Sequence, residues 1–345
     1  MEALSQAAHR RFAVRQEEDT GALRRVVGAL ARSRPGIGSG EAELLATELA
    51  TNLVKHATPG GYVLYRPLDA GIELVAVDRG PGMRHVGGWR SCAATVTDAG
   101  RPLRRDGLGV GLRTVERLAS TFDVYSGRDT GTVVLARLGE GEPAGRRAFG
   151  WGAVNVALDG EGESGDGLAV AADGSLAALV VDGLGHGPAA HAAARAAIAA
   201  FREQPEADVA DIALRVHGAM RGTRGGVIAV CRIDPHVDEL TYVGVGNIAS
   251  RLLLDGDSHS LLGREGTVGT RLPAPGIRRE SYGWAAGATL VLASDGLRGQ
   301  WDPRAYPGLL DHHPVVVAAT LHRDFAREHD DALVLVVRDL RRTAA

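Results

Sequence analysis

The sequence predicts an α+β protein built from two domains. The 345 residues are long enough for two cores, and 45% of them are hydrophobic. The pattern of strands and helices changes near residue 140. At that point GEGEPAGRR, residues 139–147, has Gly, Pro and charge but no hydrophobic period, as a linker would. The expected boundaries are 1–138 for the first domain, 139–148 for the linker and 149–345 for the second domain.

In the first domain, residues 18–32 read as a helix stopped by the turn cluster Ser33-Arg34-Pro35-Gly36. A second helix spans about 41–57 and meets Pro59-Gly60-Gly61. Residues 62–66 and 72–77 alternate as the strands of a hairpin. The stretch 78–107 is rich in Gly, Arg and Asp and has weak periodicity, which in a compact domain marks a functional or disordered loop. A helix at 108–120 and strands at 122–126 and 132–138 complete the domain. Beyond the linker, apolar strands recur at 150–157, 176–181, 226–233, 239–245, 249–254, 289–294 and 332–338. Ala-rich helices at 189–202 and 207–220 cluster between strands, and another spans about 314–327. Many strands with grouped helices point to an α+β sandwich, not a repeating βαβ unit.

Composition narrows the function classes. The net charge of -3 gives no electrostatic reason to expect nucleic acid or an anionic membrane as partner. The two cysteines, Cys92 and Cys231, lie far apart without metal-ligand spacing, which suits a reducing cytosol. MEALSQAAHRRF has no apolar signal core, and runs such as VVVAATL at 315–321 are too short to span a bilayer, so the expected location is cytoplasmic. The 47 glycines follow no fixed repeat period.

In ELATNLVKHA, residues 48–57, the helical period places Glu48, Asn52 and Lys55 on one face. Such a stripe suits either a solvated surface or a site. DRGPGM follows at 78–83. There a carboxylate at a strand end and two nearby glycines would let the backbone approach a flat ligand while the acid accepts from an edge N–H. DGLGVGL at 106–112 opens a helix, an arrangement that cradles phosphate. Gly131-Thr132 begins the next strand. Taken singly, each piece also reads as an ordinary turn or loop.

In this order and spacing, the motifs resemble the N, G1 and G2 boxes of the GHKL ATPase superfamily over about residues 15–138. The likeness is to its RsbT- and RsbW-like switch and anti-sigma serine kinases. The resemblance implies a Bergerat-type α/β sandwich that binds ATP with Mg²⁺. Asn52 would hold the Mg²⁺, and Glu48 would be the general base for the acceptor hydroxyl. Asp78 would receive the adenine amino group, with Gly80 and Gly82 along the base. Gly107, Gly109 and Gly111 would face the phosphates, and Thr132 would join the nucleotide contacts. A cation with few protein ligands suits Mg²⁺, and phosphoryl transfer needs positioning plus charge neutralisation. Residues 84–106 would form the lid, with Arg84, Arg90, Arg101, Arg104 and Arg105 as candidate phosphate contacts. Lys55 reads as solvated.

The second domain places aspartates at loop–strand junctions: Asp166 in SGD, Asp182 in DGLGHG, Asp295 in SDGL, and the pair Asp330-Asp331. One such Asp is usually a turn or cap, but several together suit a two-metal carboxylate site. With GVGN at 244–247, these motifs resemble the PPM-type, protein phosphatase 2C-like phosphatases, in the SpoIIE- and RsbX-like branch, over about 149–340. That implies a four-layer αββα sandwich. It also implies two Mn²⁺ or Mg²⁺ held by Asp166, Asp182, Asp295, Asp330 and the carbonyl of Gly183, with Asp331 the alternative to Asp330. His186 reads as packing or hydrogen bonding, not as a general acid. Arg224 in TRGG is the one candidate noted for the substrate phosphate.

Together the two resemblances imply a kinase fused to the phosphatase that reverses it. The substrate would be a STAS-domain protein of a stressosome or partner-switching sigma-factor pathway. In the rival reading the first domain is an ATP-binding arm for a sigma factor or downstream activator, and only the phosphatase half is catalytic.

Overall fold

The computed structural model describes residues 3–5, 7–83, 108–139, 148–270 and 276–341. The chain divides into two compact units, and neither is one continuous stretch. The large unit comprises Met1–His9, Gly145–Pro303 and His313–Ala345, and the small unit Arg10–Ala144 and Arg304–His312.

Strand β1 (Ala3–Ser5) belongs to the large unit. The next eight elements build the small one: β2 (Arg10–Val14), α1 (Glu17–Arg32), α2 (Ser39–His56), β3 (Gly61–Leu68), β4 (Gly71–Asp78), α3 (Leu108–Leu118), β5 (Thr121–Gly127) and β6 (Gly131–Gly139). The strands pair in the order β2-β3-β4-β6-β5, all antiparallel. α1 starts where Asp19 accepts from the N–H groups of Gln16 at 3.0 Å and Arg15 at 2.8 Å, and Glu17 and Glu18 favour its positive end. α2 buries Ala42, Leu45, Ala46, Leu49, Ala50 and Leu53, a helical stripe whose alanines let α1 come close. On the sheet face beneath the helices, Val63, Ile72, Leu74, Ala76 and Ala136 follow the two-residue strand period.

One polar cluster in this sheet was not expected from the sequence. Glu73, fully buried on β4, meets Arg66 on β3 at 2.6 Å and Arg137 on β6 at 2.7 Å. Burial lowers the pKa of Arg66, and the charge of Glu73 opposes that shift. Removing the carboxylate would strand a buried guanidinium. Glu73→Ala is therefore expected to destabilise the small unit by about 3–5 kcal/mol. A thermal melt that matches wild type would refute that role.

The large unit continues with β7 (Phe149–Val156), β8 (Asp166–Asp173), β9 (Ser175–Gly183), α4 (Pro188–Glu203), α5 (Val209–Ala219), β10 (Gly226–Asp234), β11 (Glu239–Val245) and β12 (Ala249–Leu254). It closes with β13 (Asp257–Leu261), β14 (Glu280–Gly283), β15 (Thr289–Ala293), α6 (Pro314–Phe325) and β16 (Ala332–Asp339). Its strands form two sheets, β1-β8-β9-β10-β11-β14 and β13-β12-β15-β16-β7. Leu168, Val180, Ala229 and Tyr242 from the first sheet meet Leu252, Leu292 and Leu335 from the second in one core. The alternate residues Ala169, Leu179 and Val181 face α4 and α5 through Ala193, Ala197, Phe201 and Ile212. α6 covers the second sheet at β16 and β7. The layers run helix, sheet, sheet, helix. No helix among the described residues is long and apolar enough to cross a membrane.

Candidate active site

In the large unit the β8–β9 hairpin sets Asp166 directly opposite Asp182. Asp295 comes two residues after β15, and Asp330 two residues before β16. Asp182, Asp295 and Asp330 line a cleft of about 480 Å³, together with Leu184, Gly185, Val227, Gly246, Asn247, Glu265 and Gly266. Asp166 is buried and accepts from Ser294 Oγ at 2.6 Å. Asn155 braces its turn by donating to the Asp166 carbonyl at 3.0 Å and accepting from Ser164 Oγ at 2.8 Å.

The paired aspartates divide the work. Asp331 is buried and accepts from the backbone N–H groups of Leu158 and Gly165, each at 2.8 Å. Asp330 lines the cleft instead. Gly183 sits against α4: its N–H donates to the Gly165 carbonyl at 3.1 Å, and a Cβ there would collide with the carbonyl of Ala190. Gly183→Ala must push α4 away from the carboxylates, with an expected loss of about 1–3 kcal/mol in a thermal melt. Unchanged stability would contradict the close approach.

The carboxylates raise one another's pKa values. Asp182 is pushed up to about 8 by burial first, then by the charge of Asp295 and a proton shared with it, then by Asp330 and Asp331. Asp166 lies well above the usual range through burial and the charge of Asp182, against the pull of the Ser294 hydrogen bond. Asp330 is raised by burial and then by Asp295.

Like charges held this close need protons or cations between them. An all-oxygen set suits hard divalent cations. As the side chains stand, no three His, Cys, Asp or Glu groups among the described residues converge as a metal cage. Ser294 holds one oxygen of Asp166, and Asn247 Nδ2 holds one of Asp295 at 2.9 Å. Without metal, the folded chain retains protons that an unfolded chain, with Asp near 3.9, has lost. Stability should therefore fall as pH rises from about 4 to about 8. Melts in chelator across that window check the slope, and Mn²⁺ should flatten it.

In the small unit, Glu48 and Asn52 stand one turn apart on α2, and Gly111 of α3 presses against both. A Cβ on Gly111 would lie 2.7 Å from Glu48 Oε2 and 3.4 Å from Asn52 Oδ1. Asn52 Nδ2 is buried without a hydrogen-bond partner among the described residues. Asp78, the last residue of β4, accepts through Oδ1 from the N–H groups of Gly80 at 2.7 Å and Thr132 at 3.2 Å. Gly82 has φ +68°, and a Cβ there would strike the Gly127 carbonyl. Ser126, which the sequence did not single out, ties this corner together. Its Oγ accepts from Met83 N–H at 2.8 Å and lies 2.9 Å from Thr132 Oγ1. Gly109 falls in the first turn of α3. Gly107 and the five lid arginines lie outside the described residues. Lys55 is exposed. In the large unit, His186 is exposed, bonds Glu161 at 3.1 Å and is not among the residues lining the cleft.

Comparison with known proteins adds a likeness to this geometry. Residues 172–339 match the family described as Stage II sporulation protein E (SpoIIE). A chain solved in work on "The bacterial stressosome: a modular system that has been adapted to control secondary messenger signaling" is 28% identical, with a TM-score of 0.52, covering 55% of this chain and 99% of its own. RsbX in complex with magnesium is 20% identical, with a TM-score of 0.50, covering 64% of this chain and 100% of its own. A search of curated proteins gives no match. The C-terminal half thus has the SpoIIE-type, PP2C-like phosphatase fold.

Proposed function

We propose that the large unit is a metal-dependent phosphatase for phosphoserine or phosphothreonine in a protein partner. We propose that the small unit is a GHKL-type, ATP-dependent kinase that phosphorylates the same partner. The carrying observation is the opposition of Asp166 and Asp182 across β8 and β9, with Asp295 and Asp330 at the same cleft. Asp166, Asp182, Asp295, Asp330 and the Gly183 carbonyl would hold two Mn²⁺ or Mg²⁺. Those ions would supply charge neutralisation and an activated water for attack on phosphorus. Ser294 and Asn247 each hold one oxygen, of Asp166 and Asp295 in turn, and so restrict where each carboxylate points. Asp331 keeps the turn before β8 in place.

In the small unit, Asn52 would hold Mg²⁺ through its amide oxygen and Glu48 would take the proton of the acceptor hydroxyl. The close approach of Gly111 to both supports that reading. Asp78, fixed by Gly80 and Thr132, would receive the adenine amino group. The likeness to a chain solved in work on the bacterial stressosome supports a regulatory protein as the shared substrate, and the motif resemblances add a STAS domain on that protein and a cytoplasmic setting. Two opposing activities on one chain would meet that substrate at high effective concentration. Phosphate release from p-nitrophenyl phosphate tests the phosphatase half. Release should require Mn²⁺ or Mg²⁺ and stop in chelator. Release that continues in chelator would refute the metal-dependent mechanism.

A further inference from the structure

None of the residues lining the cleft is cationic, although Asp182, Asp295, Asp330 and Glu265 all border it. A phosphate dianion entering there meets carboxylates on several sides, and an oxyanion is best held by a forked cation. One cation stands beside a cleft-lining loop, Arg224. A Cβ on Gly185, itself a lining residue, would lie 3.0 Å from Arg224 Nη1. Arg224 is exposed, and its guanidinium makes no hydrogen bond or ion pair with a described residue.

Its position is built by the backbone. Leu184 N–H donates to the Gly225 carbonyl at 3.0 Å, which ties the turn carrying Arg224 to the loop that follows Asp182 and the end of β9. Thr223 Oγ1 donates to the Met220 carbonyl at 2.6 Å and accepts from Gly225 N–H at 3.0 Å. Gly225 has φ +74° and Gly185 φ +83°, so two glycine-dependent bends set the guanidinium beside the cleft wall. Gly185 has no side chain to stand between Arg224 and the cleft. Another cation, Arg327, acts electrostatically on Asp330.

We propose that Arg224 binds the phosphoryl group of the substrate, and of the inorganic phosphate product, at the lip of this cleft. The proposal rests on the phosphatase reading and adds the anion subsite to it. The arginine would hold two phosphate oxygens, while Asp166, Asp182, Asp295 and Asp330 would hold the cations that neutralise the reacting phosphoryl group. It sets how tightly the phosphoryl group is held, not how the metals bind.

The test titrates inorganic phosphate calorimetrically into the Mn²⁺-loaded full chain, with p-nitrophenyl phosphate turnover measured separately. Arg224→Ala should weaken phosphate binding by about 10–100-fold, the range for a lost charge-assisted pair. It should raise KM by a similar factor, with a smaller change in kcat and the same Mn²⁺ affinity. Arg224→Lys should restore part of the loss, and Arg221→Ala, an exposed neighbour in the same turn, should bind phosphate as wild type does. Equal phosphate affinity in wild type and Arg224→Ala would overturn the proposal, as would no phosphate binding by wild type, or a loss found in Arg327→Ala and not in Arg224→Ala. Absent turnover of p-nitrophenyl phosphate, with phosphate binding still lost in Arg224→Ala, would instead count against the phosphatase reading and leave the anion subsite standing.

Discussion

Asp182→Asn is expected to cut phosphate release by about 10²–10³-fold or more, the scale on which loss of one electrostatic stabiliser slows a preorganised site. The same change should raise the melting temperature of the metal-free protein near pH 8. Asp182 is the carboxylate whose pKa is pushed up to about 8, with burial and Asp295 the leading causes. A neutral amide removes that repulsion and can still hydrogen-bond Asp295. Activity and metal-free stability therefore move in opposite directions, as expected where function holds like charges together. Phosphate release at the wild-type rate would remove Asp182 from the chemistry. A fall in metal-free stability near pH 8 would mean that its neighbours do not repel it.

The second large effect lies in the small unit. Asn52→Ala is expected to abolish Mg²⁺-dependent ATP binding, because the side chain that faces Gly111 is the proposed metal ligand. Glu48→Gln should leave ATP binding close to wild type but slow transfer to protein by about 10²–10⁴-fold, the usual range for a lost general base. Calorimetry separates the two variants from each other, and transfer of γ-phosphate label to the partner checks the second. Full transfer by Glu48→Gln would show that Glu48 does not accept the proton.

The large elements were legible because their periods are strong. The stripe of α2 and the apolar runs of β9, β10, β15 and β16 fall within a few residues of their expected places. β8 was not expected: half of DGLAVAAD is Gly and Ala and only Val170 is β-branched, so the strand signal is weak. Yet that strand sets Asp166 opposite Asp182. β1 was equally silent, being three residues paired with β8 from the far end of the chain. No local pattern announces a pairing across such a distance.

The same contrast holds within the site. Their places at loop–strand junctions nominated Asp166, Asp182, Asp295 and the pair at 330–331. They could not say which member of that pair faces the cleft, because the answer depends on the N–H groups of Leu158 and Gly165. Asn247 lay inside a motif already noted, GVGN, and a side-chain amide among glycines was the available signal for its role. Ser294 lay inside SDGL without a role of its own and Ser126 lay in no noted motif, since each acts through a hydroxyl whose partner lies on another segment.

Labelled γ-phosphate of ATP reports whether opposing phosphoryl-transfer activities act on one partner. The chain is mixed with STAS-domain proteins from the same genome as wild type, Asp182→Asn and Asn52→Ala. Label should accumulate on one STAS protein with Asp182→Asn, stay low with wild type and be absent with Asn52→Ala. No label with Asp182→Asn would contradict the kinase assignment and leave the small unit as a nucleotide-dependent binding arm.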